Sequence, residues 1–270
     1  MKNFNMYCLS LNDEDYDKIN SLNYIPVGLG SNKFNSNWLR DNTGENISEK
    51  NSFYGEYTFH YWFWKNQLKK IEPKKWIGFC AYRRFWTNSD NLFTINNKKD
   101  FLNEIKSDWE DYDVILGHEI YMDGWSKMKI LKHGLKSFIL NPKFFLRKNQ
   151  NLKLHFDSFH GYGNLTKAIE LLNENDKEDF KFFMENQNFF NRGNMFIAKN
   201  KNLINNFYIT VFTWLKKCEE KFGFKKDTYG NTRIYAFLME RFISYWFNKY
   251  AKVKVWPIAF YNINKKNLIL

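Results

Sequence analysis

Between residues 50 and 117 the chain alternates apolar runs of helix length with apolar runs of strand length. SFYGEYTFHYWFWKNQLKK (52–70) is apolar nearly all round until its basic end, as a helix buried on most faces would be. Lys65, Lys69 and Lys70 lie where a C-terminal dipole favours cations, and Pro73 stops the run. WIGFCAYRRFW (76–86) is a short apolar segment ending in two arginines. Residues 98–110 then place Phe101, Leu102, Ile105 and Trp109 on one helical face, and DVILG (113–117) is a second buried-strand candidate. That order predicts an α/β chain, with a mainly parallel sheet covered by helices.

The flanking sequence extends the pattern. NYIPVGL (23–29), closed by Gly28 and Gly30, is the first strand candidate. Regularity lapses from 118 to about 162. Helices are then expected near 164–187, 201–221 and 229–250, with strands at NMFIAK (194–199) and in the terminal KVKVWPIAFY. The C-terminal half is therefore expected to be largely helical. With only 4 Pro and no Pro/Gly/Ser linker, residues 1–270 read as a single domain.

Composition narrows the class. Aromatic residues make up 20% of the chain, enough for a large core and for stacking on flat ligands. The 41 Lys+Arg against 29 Asp+Glu leave +12, which calls for an anionic partner or substrate. Cys8, Cys80 and Cys218 are too few and too far apart for a disulfide framework or a zinc site. The opening MKNFNMYCLSLNDEDYD lacks a signal peptide's apolar segment, and no stretch approaches a membrane span. A cytoplasmic protein is expected.

In open α/β sheets, ligands collect beyond the carboxyl ends of the strands. Tyr82-Arg83-Arg84 stands at such an end, where two guanidiniums can grip a diphosphate or instead make structural ion pairs. The loop DNTGENISEKN (41–51) offers Asp41, Asn42, Asn46, Ser48 and Lys50 as a cradle for a nucleotide or sugar, or as an Asx-rich turn and cap. Asp13-Glu14-Asp15, Asp15-Tyr16-Asp17 and Asp111-Tyr112-Asp113 fit Asp-x-Asp, but lie in a polar N-terminal loop or at the amino end of a strand, and read as structural. HExxH, P-loop and GxGxxG are all absent. The stretch 126–149 carries seven basic residues and no acid among apolar ones, as a lipid-facing segment or a solvated flap would. His155, Asp157 and His160 offer acid–base chemistry or ordinary structural hydrogen bonds. Asn191, Arg192 and Asn194 precede a strand candidate, and Glu240-Arg241 inside an apolar helix reads as a buried ion pair.

The ordered series is informative as a whole. It runs from Asp41 through Ser48, Lys50-Asn51, Glu56-Tyr57-Thr58, Tyr61 through Asn66, and Gly78 through Tyr82-Arg83-Arg84-Phe85. It continues with Asp113 through Leu116, His160, Asn194 through Ile197, Glu240-Arg241 and Trp246. The series resembles the bacterial capsular and exopolysaccharide glycosyltransferases catalogued as domain of unknown function 4422, over about residues 24 to 250. The resemblance implies a GT-A-like mixed sheet, with residues 1–120 binding a nucleotide-sugar and 121–270 an acceptor. It implies hexosyl or galactofuranosyl transfer to a surface-polysaccharide or lipid-linked glycan, in the cytoplasm or at the inner face of the membrane. Nucleic acid is not an expected partner.

On this resemblance Val27, Gly28, the polar residues of the 41–50 loop, Tyr82, Arg83 and Arg84 form the donor side. Arg192, Asn194, Glu240 and Arg241 form the acceptor or sugar side. Asp157 and His160 are the candidate bases, with Asp123 behind them. The sequence departs from the family at Ala81, where His is frequent, at Asn164, where an acid is frequent, and across 118–150. No metal-binding Asp-x-Asp ends the strand, so Arg83 and Arg84 are expected to take the metal's place, with no cofactor and with Mn or Mg left open. The alternatives are a non-catalytic sugar-nucleotide-binding scaffold and a nucleic-acid-binding protein.

Overall fold

A computed structural model describes residues 4–122 and 150–263, together with positions 139 and 142 and the backbone of 267 and 268. The early strands are β1 (Phe4–Ser10), β2 (Ile25–Gly28), β3 (Leu39–Arg40), β4 (Trp76–Ala81), β5 (Arg84–Trp86) and β6 (Val114–Gly117). The later ones are β7 (Glu119–Tyr121), β8 (Phe189–Asn191), β9 (Phe196–Ala198), β10 (Val253–Trp256), β11 (Ile258–Asn262) and β12 (Asn267–Leu268). The helices begin with α1 (Tyr16–Asn20), α2 (Asn51–Tyr54) and α3 (Tyr57–Asn66). They continue with α4 (Leu152–Phe159), α5 (Asn164–Ile169), α6 (Glu174–Asn186), α7 (Lys201–Phe222), α8 (Tyr229–Thr232) and α9 (Ile234–Tyr250).

The chain forms two compact units. The first comprises Met1–His118, Arg192–Tyr208 and Phe247–Leu270; the second comprises Glu119–Asn191 and Ile209–Trp246.

In the first unit the sheet order is β10-β6-β9-β4-β1-β2-β3. β4, β1, β2 and β3 run parallel, β9 is antiparallel to both β4 and β6, and β5 folds back from β4 to pair with β11. Strand periodicity sends alternate side chains to opposite faces. Met6 and Cys8 join Trp76, Cys80 and Trp86 in one apolar cluster. Tyr7 packs on the other face with Phe59, Phe63 and Phe79, at ring separations of 5.1–5.9 Å. Both faces are covered, which is why FNMYCLS shows no polar alternation and was not among the expected strands.

Three expectations change. The 52–70 helix is broken at Gly55, whose φ of +58° ends α2 before α3 begins. Residues 98–110 form two single 3-10 turns and no amphipathic helix. Their backbone is engaged elsewhere, since the Asn88 N–H donates to the Asp100 carbonyl and the Leu102 N–H to that of Trp86. Phe101, Leu102 and Trp109 are still buried, and Ile105 is half-buried. The terminal run is divided at Pro257, so that β10 pairs with β6 and β11 with β5.

The second unit holds β7 and β8 as an antiparallel pair, with α4, α5, α6, α8 and most of α7 and α9. Phe180 packs against Trp214, Phe242 and Tyr245 at its centre. Trp214 donates Nε1–H to the Ala168 carbonyl, and Tyr245 donates its hydroxyl to the Asp176 carboxylate. The aromatic surplus is mostly core.

Candidate functional site

The carboxyl ends of the parallel strands meet on one edge of the first unit. Register pairs Ala81 with Leu9, Ser10 with Gly28 and Gly28 with Arg40. β4 reverses through Tyr82-Arg83, pairing Ala81 with Arg84, while the Tyr82 N–H donates to the Leu9 carbonyl at 3.0 Å. Arg83 is exposed, with its guanidinium 4.8 Å from the Tyr82 ring. Arg84 lies 5.7 Å from the centroid of Phe260, its partner across β5 and β11. Arg192 lies 4.7 Å from the same ring. Its N–H donates to the His118 carbonyl at 2.8 Å, which fixes its origin.

Among the described residues, no carboxylate pairs with Arg83 or Arg84. Two guanidiniums on one ring, on a strand-end edge, make an anion-receptive surface. Its positive field is felt at His118, whose pKa is held down to about 4 by burial and by Arg192. Burial raises the Tyr82 phenol; Glu56 and Asp15 add to that, and Arg83 and Arg84 oppose it.

The 41–50 loop is mostly occupied with itself and its neighbours. Asp41 is buried, accepting the Gly30 N–H at 2.9 Å and the Thr58 hydroxyl at 2.6 Å. Burial raises its pKa, and those two hydrogen bonds work against the rise. Asn46 accepts from the Ser48 N–H and hydroxyl and donates to the Gly44 carbonyl, an Asx-type turn. Asn42 is exposed, and Lys50 is half-buried. Val27 is wholly buried between β1 and β3, so it offers no surface to a ligand. Gly28 is covered by Phe34, whose ring would lie 2.8 Å from any added Cβ.

The sequence reading gave Glu56 no role. It caps α3 without bonding the helix through its side chain, directly after the Gly55 break. It borders His60, Ala81 and Asn194 near the ends of β1 and β4, around a gap too tight to hold a water molecule. The signal for it was Gly55, a glycine inside an otherwise helical pattern. Asn194 is therefore at this edge. His60 pairs with the Tyr208 hydroxyl through Nδ1 at 2.8 Å, and burial holds its pKa down to about 3.

Other candidates belong to the second unit. Asp157 is buried, bonded to Lys153 Nζ at 2.7 Å and to the Gly163 N–H at 3.1 Å. His160 is buried and stacked on Phe237 at 3.9 Å, its pKa well below the usual value through burial and the nearby Arg241. Buried Arg241 is ion-paired with half-buried Glu240 at 2.5 Å, contacts His155, and lies 4.2 Å from the Phe190 ring. Asn191 is buried, its side-chain oxygen accepting from the Ser244 hydroxyl. Asn164 donates to the His160 carbonyl. Asp123 lies outside the described residues, as does the 126–149 stretch except for positions 139 and 142.

Among the described residues, no three His, Cys, Asp or Glu side chains converge as a metal site. No helix among them is long and apolar enough to cross a membrane.

Fold and edge together define a mixed α/β protein, its sheet flanked by helices, with cationic side chains at the carboxyl ends of its parallel strands. The chain belongs to the family described as Domain of unknown function (DUF4422), whose model matches residues 6–252. A solved structure of similar fold is the apo form of WbbM, a bifunctional glycosyltransferase, with a TM-score of 0.68 at 21% identity. The match covers 95% of this chain and 45% of that one, so the chain spans less than half the length of that protein. No curated protein matches by sequence.

Proposed function

We propose that the chain is a glycosyltransferase domain that moves a hexosyl or galactofuranosyl group from a nucleotide-sugar to a hydroxyl of a surface-polysaccharide or lipid-linked glycan. The observation that carries this reading is the placement of Arg84 and Arg192 against Phe260 on the strand-end edge, with Arg83 beside them. Family membership and the fold likeness to a glycosyltransferase support it. When the glycosidic bond to the nucleotide breaks, negative charge grows on the leaving diphosphate. Fixed guanidiniums stabilise that charge more than the ground state, which lowers the barrier. In this proposal the arginines take the part a divalent metal plays elsewhere, and activity persists in EDTA.

The expected setting is the cytoplasmic face of the membrane, with the basic 126–149 stretch contacting anionic lipid. Flotation with anionic vesicles tests that part. The central experiment is a thermal-shift screen over UDP-, GDP-, dTDP- and CMP-sugars. A true donor raises Tm by mass action and names the nucleotide. No shift with any of them would overturn the proposal.

A further inference from the structure

His118 stands one residue past β6. β9 is antiparallel to both β4 and β6, so β6 runs parallel to β4 and ends on the same edge. The His118 ring is held from two sides. Nδ1 meets the Ile258 N–H at 3.3 Å, and the Phe93 ring lies nearly perpendicular to it at 5.7 Å. A backbone N–H can only donate, so Nδ1 is the acceptor and the proton of the neutral ring sits on Nε2. Burial and Arg192 keep the ring neutral, with a pKa of about 4. Nδ1 is thus spent on the fold. Nε2–H makes no hydrogen bond to any described residue, and His118 is only half-buried.

The backbone sets His118 beside the arginines. The Arg192 N–H donates to the His118 carbonyl, in register with the Glu119–Asn191 pair that follows, so His118 and Arg192 stand opposite each other in an antiparallel run. Opposite residues send their side chains to one face, with Cβ atoms about 4.5–5.5 Å apart. The approach is close, since a Cβ on Gly117 would lie 2.7 Å from the Arg192 carbonyl oxygen. Gly193, next after Arg192, has a φ of +80°, and a Cβ there would lie 3.8 Å from Arg84 Nη1. His118, Arg192 and Arg84 therefore share one stretch of edge, the two guanidiniums against the Phe260 ring. All three groups donate and none accepts. Such a set suits a ligand with several anionic oxygens, as a diphosphate has. A neutral N–H adds a bond there without a third positive charge beside two guanidiniums.

We propose that His118 Nε2–H donates a hydrogen bond to a phosphate oxygen of the nucleotide-sugar, alongside Arg84 and Arg192; this rests on the glycosyl-transfer reading above. The donor site then runs along the edge from the end of β4 to the end of β6. It takes in Arg192, which the sequence placed on the acceptor side.

The two ring nitrogens have separate tasks, and two variants of the purified full chain separate them. In His118→Asn the amide stands where Nδ1 was, so Ile258 keeps an acceptor and the outward donor is lost. In His118→Gln the amide reaches where Nε2 was, so the donor is kept and Ile258 loses its acceptor. Calorimetry with UDP, GDP, dTDP and CMP reads affinity, and thermal melting reads the ligand-free fold. The nucleotide that binds the wild type is expected to bind His118→Asn about 10–100-fold more weakly at an unchanged Tm. His118→Gln is expected to recover part of that affinity at a lower Tm. Wild-type affinity in His118→Asn, with affinity lost in Arg84→Ala, would overturn the role of His118 and leave the transferase reading intact. Affinity that falls in both His118 variants only as far as Tm falls would make the residue structural and overturn its role as well. A wild-type chain that binds none of the four nucleotides would overturn the transferase reading itself.

Discussion

Arg84 and Arg192 set their guanidinium groups against one aromatic ring, that of Phe260, at 5.7 and 4.7 Å from its centroid. Arg84 is held by its backbone, which pairs with Ala81 on one side and Phe260 on the other. Its side chain can therefore be cut back without loosening the sheet. Arg84→Ala is expected to leave the ligand-free Tm in place, because removing one of two like charges also relieves repulsion. Turnover should fall by about 10²–10³-fold, the usual cost of deleting one charge-stabilising donor. The thermal shift given by a nucleotide-sugar should shrink with it. A large drop in ligand-free Tm would mark Arg84 as structural.

Asp41 behaves as a brace. Its carboxylate ties the Gly30 turn to the first turn of α3 through Thr58. Asp41→Ala leaves the buried Gly30 N–H without its acceptor and the Thr58 hydroxyl with only its longer contact to the Gly55 carbonyl, at about 1–3 kcal/mol. The urea midpoint should fall with an unchanged m-value. If the variant instead unfolds like wild type and only loses donor affinity, Asp41 is a ligand contact.

Asp157 is expected to be a brace of the same kind. It closes the turn after α4 through the Gly163 N–H and pairs with Lys153 one helical turn back. Asp157→Asn should cost about 1–2 kcal/mol of stability through the weakened ion pair and keep its turnover. A variant that folds like wild type but has lost turnover would restore Asp157 as the base.

The sequence made the sheet legible where strand length and arginine placement coincided, at WIGFCAYRRFW, where the strand stands as expected, while its reversal into β5 was not foreseen. It concealed β1, because a strand buried on both faces has no alternation to read. The 98–110 pattern misled for a related reason. Burial of Phe101, Leu102 and Trp109 follows from packing against β5 and its neighbours, and an irregular segment can supply it at helical spacing by chance. Arg84 was visible from its strand-end position. The nearness of Arg192 to Phe260 was not, because it joins residues brought together only by the sheet. Glu56 was hidden inside a run read as one helix, where the Gly55 break gave the only local sign.

His60 links stability to pH. Its ring is buried, and its pKa is about 3 in the folded chain against 6.5 ordinarily. Between those values the unfolded chain binds a proton that the folded chain refuses, so stability falls as pH drops through that window and levels off below it. Each pH unit inside the window is worth about 1.4 kcal/mol for this one group. His60→Gln keeps an amide that can meet the Tyr208 hydroxyl but cannot titrate. It is expected to be less stable near neutrality and to lose stability less steeply on acidification. Urea unfolding in steps from pH 7 to pH 4 measures both slopes. Parallel slopes for the two proteins would mean that the neutral, buried His60 is not what destabilises the fold in acid.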